Sequence, residues 1–211
     1  MPGLFITFEG TEGSGKSTQI KLLTERLQAL GRTVRQWREP GSTSIGEEIR
    51  HTLQHSAGNT AMTPEAELLL INASRAQLVR EKIRPALSAG EIVLCDRFYD
   101  STTAYQGYGR NLDIAMVKDI IDVAVGDTRP NLTFFLHIPL ELSEERRRLR
   151  QGSGPSQRDR MEELDRQFFE RVEQGYRAIA AAELKRVHWI DATQTIEKVQ
   201  VELWRQIEPL L

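Results

Sequence analysis

The sequence lacks the features of several broad protein classes. It contains a single cysteine, Cys95, among 211 residues, which excludes a framework of internal disulfides and is typical of a reducing compartment. No apolar run approaches the roughly 20 residues that a membrane-spanning helix needs. The N-terminus shows no charged stretch followed by an apolar one, as a secretion signal would. We therefore expect a cytoplasmic protein with no membrane partner.

The charge balance gives no reason to expect a nucleic-acid partner. The 28 lysines and arginines nearly offset the 30 aspartates and glutamates, and the net charge is −2. The average hides one local exception, because arginines cluster between Arg146 and Arg160 on either side of the loop-like stretch Gly152–Ser156. The length fits one domain, and we expect residues 1–211 to form it.

Short apolar runs alternate with helical patterns along the whole chain. The predicted strands are Leu4–Phe8, Thr33–Trp37, Ile92–Cys95, Leu132–Ile138 and Val187–Ile190. The predicted helices are Ser17–Leu30, a long one capped by Thr63 and running through Leu68–Leu87, Ile114–Val125, Leu140–Leu149, Arg160–Ala182 and Ile196–Leu210. Strands that alternate with helices predict an α/β fold, a five-stranded parallel sheet with helices on both faces. Ligands of such sheets bind beyond the carboxyl ends of the strands.

A glycine-rich segment follows the first strand and matches the phosphate-loop pattern G-x-x-x-x-G-K-[ST]. The pattern has its required context, a strand before it and a helix after it. Glycines let the backbone N–H groups turn toward phosphate oxygens, and the helix adds its positive end. Lys16 is expected to bridge the β- and γ-phosphates of ATP, and the Ser17 hydroxyl to bind Mg²⁺. The predicted nucleotide-binding residues are Gly10, Thr11, Glu12, Gly13, Ser14, Gly15, Lys16, Ser17 and Thr18.

Charged side chains follow two other predicted strands. Asp96 and Arg97 come directly after Ile92–Cys95, where an acid is a common Mg²⁺ ligand in phosphate-loop proteins and an arginine can bind a substrate phosphate. A buried ion pair that ends a strand is the alternative. Arg38 follows the second strand and can reach a second anion at the same sheet edge, although a surface salt bridge at the Pro40–Gly41 turn is as plausible.

Arg75 lies in the middle of the long predicted helix, four residues after Ile71. Residues four apart share a helix face, so this pair can hold a flat base between a guanidinium group and an apolar side chain. An exposed, solubilising arginine is the competing interpretation.

These segments together resemble the thymidylate kinase family over nearly the whole chain. The matching stretches are Phe8–Thr18, Arg38–Gly41, Ala73–Gln77, Asp96–Gly107, Asp159–Glu162, Phe168–Phe169 and Gly175–Tyr176. The resemblance implies a kinase of the phosphate-loop NTPase fold that transfers the γ-phosphoryl group of ATP to dTMP, with Mg²⁺, in dTTP biosynthesis. The family is typically homodimeric, and the apolar helix Leu68–Leu87 could supply the interface.

The resemblance also implies roles for individual side chains of the acceptor site. Arg38 and Arg97 would hold the phosphate of thymidylate, and Arg75 would contact thymine. Tyr105 would pack near the 2′ carbon of the sugar and disfavour a ribose, while Glu12 would lie near the 3′-hydroxyl. Ser101 and Gln106 would line the base site. One departure concerns Ile71, because the family usually has an aromatic residue there that stacks on the base.

The arginine cluster within Arg146–Arg160 is typical either of a solvated charged face or of a lid that closes over the triphosphate. No arginine stands between Gly10 and Gly15, as in bacterial thymidylate kinases that supply the catalytic arginine from the lid. We expect that role to fall to Arg150 and Arg158. An arginine that stabilises the transition state of phosphoryl transfer can be worth about 10³–10⁵ in rate.

Two rival functions remain open at this level. A deoxynucleoside kinase also has a phosphate loop, but it phosphorylates a hydroxyl and needs a carboxylate base, which Glu12 or Glu39 could provide. A nucleotide-driven switch would act on a protein partner. The guanine-reading string Asn-Lys-x-Asp of GTP switches is absent from the sequence.

Overall fold

A parallel sheet forms the centre of the computed structural model, which describes residues 3–56, 61–151 and 166–211. Its strands are β1 (Leu4–Glu9), β2 (Val34–Arg38), β3 (Ile92–Asp96), β4 (Leu132–His137) and β5 (Val187–Asp191). They lie in the order β2-β3-β1-β4-β5, and all four pairings are parallel. The predicted five-stranded parallel sheet is therefore confirmed.

Helical segments connect the strands. They are α1 (Lys16–Ala29), α2 (Ser44–Gln54), α3 (Pro64–Leu78), a π-helical turn (Val79–Ile83), α4 (Arg84–Ser88), α5 (Tyr99–Thr102), a second π-helical segment (Thr103–Gly109), α6 (Ile114–Val125), α7 (Leu140–Gln151), α8 (Arg166–Ala182), α9 (Ile196–Ile207) and a 3₁₀ turn (Glu208–Leu210). As predicted, the Thr63 side chain caps α3 by accepting a hydrogen bond from the backbone N–H of Ala66. Among the described residues, no helix combines the length and apolar character needed to cross a bilayer.

The alternation of side chains along β1 divides the core between the two faces of the sheet. Ile6 and Phe8 pack with apolar residues of α1 and α9 on one face. Phe5 points to the opposite face and packs with residues of α3 and α6. Helices on both faces bury the central strands, and the carboxyl ends of β1 and β3 stay available for a ligand.

The structure differs from the sequence predictions mainly in two segments: α2 (Ser44–Gln54), which is absent from the predicted helices, and Tyr99–Gly109. Tyr99–Gly109 is helical, and its second part has π-helical geometry. No helix was predicted for Tyr99–Gly109, because Ser101, the two threonines and the two glycines are weak helix formers and apolar residues do not recur every three to four positions. A further difference is small: β2 begins at Val34 and ends at Arg38, so the predicted strand Thr33–Trp37 was shifted by one residue.

Candidate active site

The phosphate loop joins the end of β1 to the start of α1. Three of its glycines adopt positive φ angles, with Gly10 at 133°, Gly13 at 73° and Gly15 at 91°. These conformations are costly for other residues, and they let the backbone fold back toward the helix terminus. The described residues offer no side-chain cap to α1 at Gly15 and no acidic residue in its first turn. Its N–H groups can therefore bind an anion.

Lys16 is buried beneath this loop. Its Nζ donates hydrogen bonds to the carbonyl oxygens of Gly10 at 3.0 Å and Thr11 at 3.1 Å. Burial, together with the positive charge of Arg97, lowers the pKa of Lys16 to about 8. A bound phosphate would offset both effects, so the ammonium group is arranged to receive negative charge.

Two oxygen-bearing side chains meet beside Lys16. Ser17 at the start of α1 lies with its Oγ 3.4 Å from Oδ2 of Asp96, the last residue of β3. A hydroxyl and a carboxylate are ligands that Mg²⁺ accepts, with water and phosphate oxygens completing its shell. Within the described ranges no cluster of three or more His, Cys, Asp or Glu residues is suited to a metal. The donor set therefore fits a magnesium ion that comes with a nucleotide rather than a permanent metal centre.

Arg97 follows Asp96 in a left-handed backbone conformation, with φ at 68°. Its N–H donates to the carbonyl oxygen of Phe8 at 2.9 Å, which extends the contact between β1 and β3. Its Nη1 donates to Oγ of Ser101 at 3.1 Å, and the guanidinium carbon lies 5.1 Å from the ring centre of Tyr105. The side chain is thus held on two sides at the carboxyl edge of the sheet.

Arg75 is buried, with only 1% of its surface exposed, so the competing interpretation of an exposed arginine is wrong. Its Nε and Nη2 both lie 2.7 Å from Oε2 of Glu39, and its Nη1 donates to Asn72 at 2.8 Å. Burial raises the pKa of Glu39 to about 7, although the charge of Arg75 favours the ionised carboxylate. Of the five guanidinium N–H groups, two have no partner among the described residues and can contact a ligand.

Arg38 lies half-exposed at the end of β2. Its Nη2 donates to Glu47 at 3.0 Å and its Nη1 to the carbonyl oxygen of Pro40 at 3.2 Å. The salt bridge that the sequence offered as an alternative is therefore present, but Arg38 also faces the cavity described below.

The π-helical segment Thr103–Gly109 carries Tyr105 and Gln106. Gln106 donates from Nε2 to Glu67 of α3 at 2.7 Å, which fixes its amide and leaves the carbonyl oxygen as an acceptor. Tyr105 makes edge contacts with Phe168 and Tyr176 of α8. Both residues are buried, so their positions are set by packing.

A single cavity of about 480 Å³ brings the predicted donor and acceptor residues together. Most of the predicted site residues line it, namely Glu12, Gly13, Gly15, Lys16, Ser17, Thr18, Arg38, Ile71, Arg75, Asp96, Arg97, Ser101, Tyr105 and Gln106. Gly10, Thr11 and Ser14 are not among the lining residues, and Thr11 and Ser14 are buried in the loop. The phosphate loop and a cluster of arginines thus face one cavity.

Known proteins are similar to this chain over nearly its whole length. The sequence model of a family described as thymidylate kinase matches residues 8–203. The chain belongs to the thymidylate kinase family. It is 46% identical to a thymidylate kinase of Alcanivorax borkumensis over 100% of this chain and 98% of that protein. It is also 47% identical to one from Syntrophotalea carbinolica, over 95% of this chain and 93% of that protein.

A solved structure extends the likeness to three dimensions. The crystal structure of thymidylate kinase from Ehrlichia chaffeensis superimposes with a TM-score of 0.77 and 32% sequence identity, covering 99% of each chain. The expected phosphate-loop fold of a thymidylate kinase is therefore confirmed.

The segment predicted as the lid begins in α7 and contacts the phosphate loop. Arg146 donates from Nη1 to the carbonyl oxygen of Gly13 at 3.0 Å, and Ser143 donates to that of Glu12 at 2.7 Å. A Cβ atom on Gly13 would lie only 3.0 Å from Cβ of Arg146, so the two backbones approach closely. Arg158 lies outside the described residues, as does the side chain of Arg150, and their predicted role stays a prediction.

Several residues at the site were missed by sequence reasoning. Thr102 lines the cavity with a buried hydroxyl that has no hydrogen-bond partner among the described residues. Phe169 of α8 also lines the cavity. Thr102 lay inside the quoted stretch Asp96–Gly107, but its place on the cavity side depends on the helix that the sequence did not reveal.

Proposed function

We propose that this cavity carries out the reaction of the thymidylate kinase family through the residues that line it. The γ-phosphoryl group of ATP passes to dTMP, which gives ADP and dTDP. The observation that supports these residues is the shared cavity, in which Lys16 and Ser17 of the phosphate loop face Arg38 and Arg97. Two anions can be brought end to end there only if positive charge lies between them.

The donor half of the cavity consists of the phosphate loop and the end of β3. Backbone N–H groups of Gly10–Thr18 cradle the ATP phosphates, and Lys16 bridges the β- and γ-phosphates. Ser17 and Asp96 would hold Mg²⁺, which supplies positive charge to the phosphate oxygens.

The acceptor half binds thymidylate along β2, α3 and the segment Tyr99–Gly109. Arg38 and Arg97 grip its phosphate, and Arg75 donates its remaining N–H groups to thymine while Ile71 packs on the base. Ser101 and Gln106 line the base site, as the likeness to the family implies. Tyr105 packs against the sugar and disfavours a ribose, and Glu12 lies near the 3′-hydroxyl.

The chemistry follows from the protonation state of the acceptor. A phosphate monoester has a second pKa of about 6, so thymidylate is mostly dianionic at neutral pH and can attack the γ-phosphorus without a general base. The remaining tasks are alignment and charge neutralisation, which Lys16, Arg97 and the lid arginines Arg150 and Arg158 perform. Closure of the lid (residues 146–160) would also exclude water and limit hydrolysis of ATP.

Assembly and location complete the proposal. Leu69 of α3 and Val123 of α6 expose 57% and 77% of their surfaces on helices that pack together. Such exposed apolar residues are suited to a homodimer interface. We place the enzyme in the cytoplasm as one domain of residues 1–211, with ATP and dTMP as small-molecule partners and no nucleic-acid partner.

An acceptor screen tests the proposal. ADP release is measured with ATP and Mg²⁺ alone, and then with thymidylate, thymidine or deoxyuridylate added. We expect release that depends on thymidylate and negligible turnover of thymidine, since thymidine lacks the phosphate that Arg38 and Arg97 bind. Faster turnover of thymidine would support a nucleoside kinase. Equal rates with and without any acceptor would support a nucleotide-driven switch.

A further inference from the structure

Glu9, the last residue of β1, has no role in the mechanism above, yet it is completely buried beside the cavity. Its two carboxylate oxygens accept three hydrogen bonds. Oε1 accepts from the backbone N–H of Phe98 at 2.8 Å, and Oε2 accepts from the hydroxyls of Ser101 and, at 3.0 Å, Tyr176. One carboxylate thus joins the central strand, the segment after β3 and α8.

The three donors surround Arg97. Phe98 directly follows Arg97, so its hydrogen bond to Glu9 fixes the chain just after the left-handed residue. Ser101 receives a hydrogen bond from the guanidinium group of Arg97 while its own hydroxyl donates to Glu9. Glu9 therefore fixes Arg97 both through its backbone and through its side chain, and a left-handed non-glycine residue persists only when its surroundings hold it there.

We propose that Glu9 is the positioning residue of Arg97 and sets the affinity of the enzyme for the phosphate group of the acceptor nucleotide without contacting the nucleotide. This inference rests on the proposed function, in which Arg97 binds that phosphate. The carboxylate orients a cation for the ligand, as the second shell of a metal site orients a ligand for the metal.

The electrostatic surroundings agree with a positioning role. Burial and the nearby negative charge of Asp100 raise the pKa of Glu9 to about 7, whereas the hydrogen bond from Ser101 and the charge of Arg97 act in the opposite direction. Glu9 also lies close enough to Lys16 for its negative charge to raise the pKa of that lysine. Burying a carboxylate costs free energy because its charge loses contact with water. A buried carboxylate at the edge of an active site is therefore a candidate for a functional role.

Comparing dTMP with thymidine as ligands tests the role directly, because the two differ only in the phosphate. Calorimetric binding is measured for the parent enzyme and Glu9→Gln. We expect Glu9→Gln to weaken dTMP binding by about tenfold, because a misplaced Arg97 guanidinium holds the phosphate less well. Thymidine binding should stay within about twofold of that of the parent enzyme. An equal loss for both ligands, or no loss for either, would overturn the inference.

Thr7→Val is the matched control for burial. Thr7 lies two residues before Glu9 on β1 and is also fully buried, but its hydroxyl is hydrogen-bonded to that of Thr133 at 2.7 Å. We expect this variant to lower the unfolding temperature without changing the ratio of the two affinities. If Thr7→Val changed the ratio as much as Glu9→Gln, general loosening would account for the effect and the inference would fail.

Two further variants keep the test decisive. Tyr176→Phe removes one of the three hydrogen bonds to Glu9 and replaces Glu9→Gln if that variant does not fold. We expect it to weaken the binding of dTMP alone by about two- to threefold, and unchanged dTMP binding would contradict the inference.

Arg97→Ala tests the underlying function. A selective loss of dTMP binding in Arg97→Ala but not in Glu9→Gln would sink the inference and leave the function intact, whereas no loss in Arg97→Ala would sink the function itself.

Discussion

The donor and acceptor halves of the cavity are built in different ways. The donor half is one continuous stretch, Gly10–Thr18, whose shape comes from glycine backbone conformations and the start of a helix. The acceptor half is assembled from distant segments by buried polar pairs, Arg75 with Glu39 and Gln106 with Glu67. A substitution in the donor half should therefore lower the rate of phosphoryl transfer. A substitution in the acceptor half should lower both the affinity for thymidylate and the free energy of unfolding.

The largest effect is expected from Lys16→Ala. It removes the buried cation that we propose binds the ATP phosphates, and we expect turnover to fall by at least about 10²–10³-fold, with little change in thymidylate affinity. Single-turnover kinetics and thymidylate binding would measure the two quantities. Lys21→Ala is the matched control, because Lys21 lies on the same helix with 75% of its side chain exposed. A Lys16→Ala enzyme with normal turnover would contradict the donor assignment.

Asp96→Asn probes the junction between the halves. Replacing the carboxylate that we propose holds Mg²⁺ should raise the Mg²⁺ concentration needed for half-maximal activity by about 10–100-fold, as loss of a supporting ligand does at metal sites. Magnesium titrations at saturating ATP and thymidylate would show the shift. Asp127→Asn controls for charge, because Asp127 is 92% exposed. An unchanged Mg²⁺ requirement would remove Asp96 from the metal site.

Arg75→Ala should damage both properties of the acceptor half. It leaves the buried Glu39 unpaired, so we expect a loss of about 3–5 kcal/mol in the free energy of unfolding and a rise of about tenfold or more in the KM for thymidylate. Urea unfolding and steady-state kinetics would measure these changes.

The double variant Arg75→Met with Glu39→Gln separates the two effects. Neutralising both partners should recover most of the stability, since no charge remains buried, but it should not restore the KM. If the KM recovered along with the stability, Arg75 would have a purely structural role.

The same contrast explains what the sequence could predict. The strands, the phosphate loop and the helix that Thr63 caps follow from local patterns, so their positions were predicted within one or two residues. Arg75 was predicted as a site residue, but nothing near it in sequence indicates that Glu39, 36 positions away, would bury it. The helical segment Tyr99–Gly109 was missed because packing against α8 and α3, rather than local propensity, stabilises its π-helical geometry. From the sequence, Glu9 was noted only as a member of the matching stretch Phe8–Thr18 and received no role.

Glu9 directly precedes Gly10 of the donor half and accepts hydrogen bonds from Phe98 and Ser101 on the acceptor side, and its ionisation gives a test by pH. Its raised pKa means that the folded protein keeps a proton that the unfolded chain releases between about pH 4.5 and 7. Its contribution to stability is therefore complete below that window and is lost as the pH rises through it, by roughly 3 kcal/mol in all. Glu9→Gln cannot titrate, so the difference in unfolding free energy between parent and variant should change across this window. Parallel stability curves from pH 5 to 8 would contradict the assignment.

Ile71→Phe should have the smallest effect and the opposite sign. Ile71 lines the acceptor side of the cavity as a half-buried aliphatic residue, and a phenyl ring there could stack on thymine. Such contacts are worth about 0.5–1.5 kcal/mol, so we expect the KM for thymidylate to fall by about two- to tenfold while the KM for ATP stays the same. Ile71→Leu keeps the size without the ring and should leave both values unchanged. Because the acceptor half is assembled from packed side chains, a single larger side chain can increase its affinity for thymidylate. An unchanged or higher KM in Ile71→Phe would mean that thymine does not lie against this face of α3.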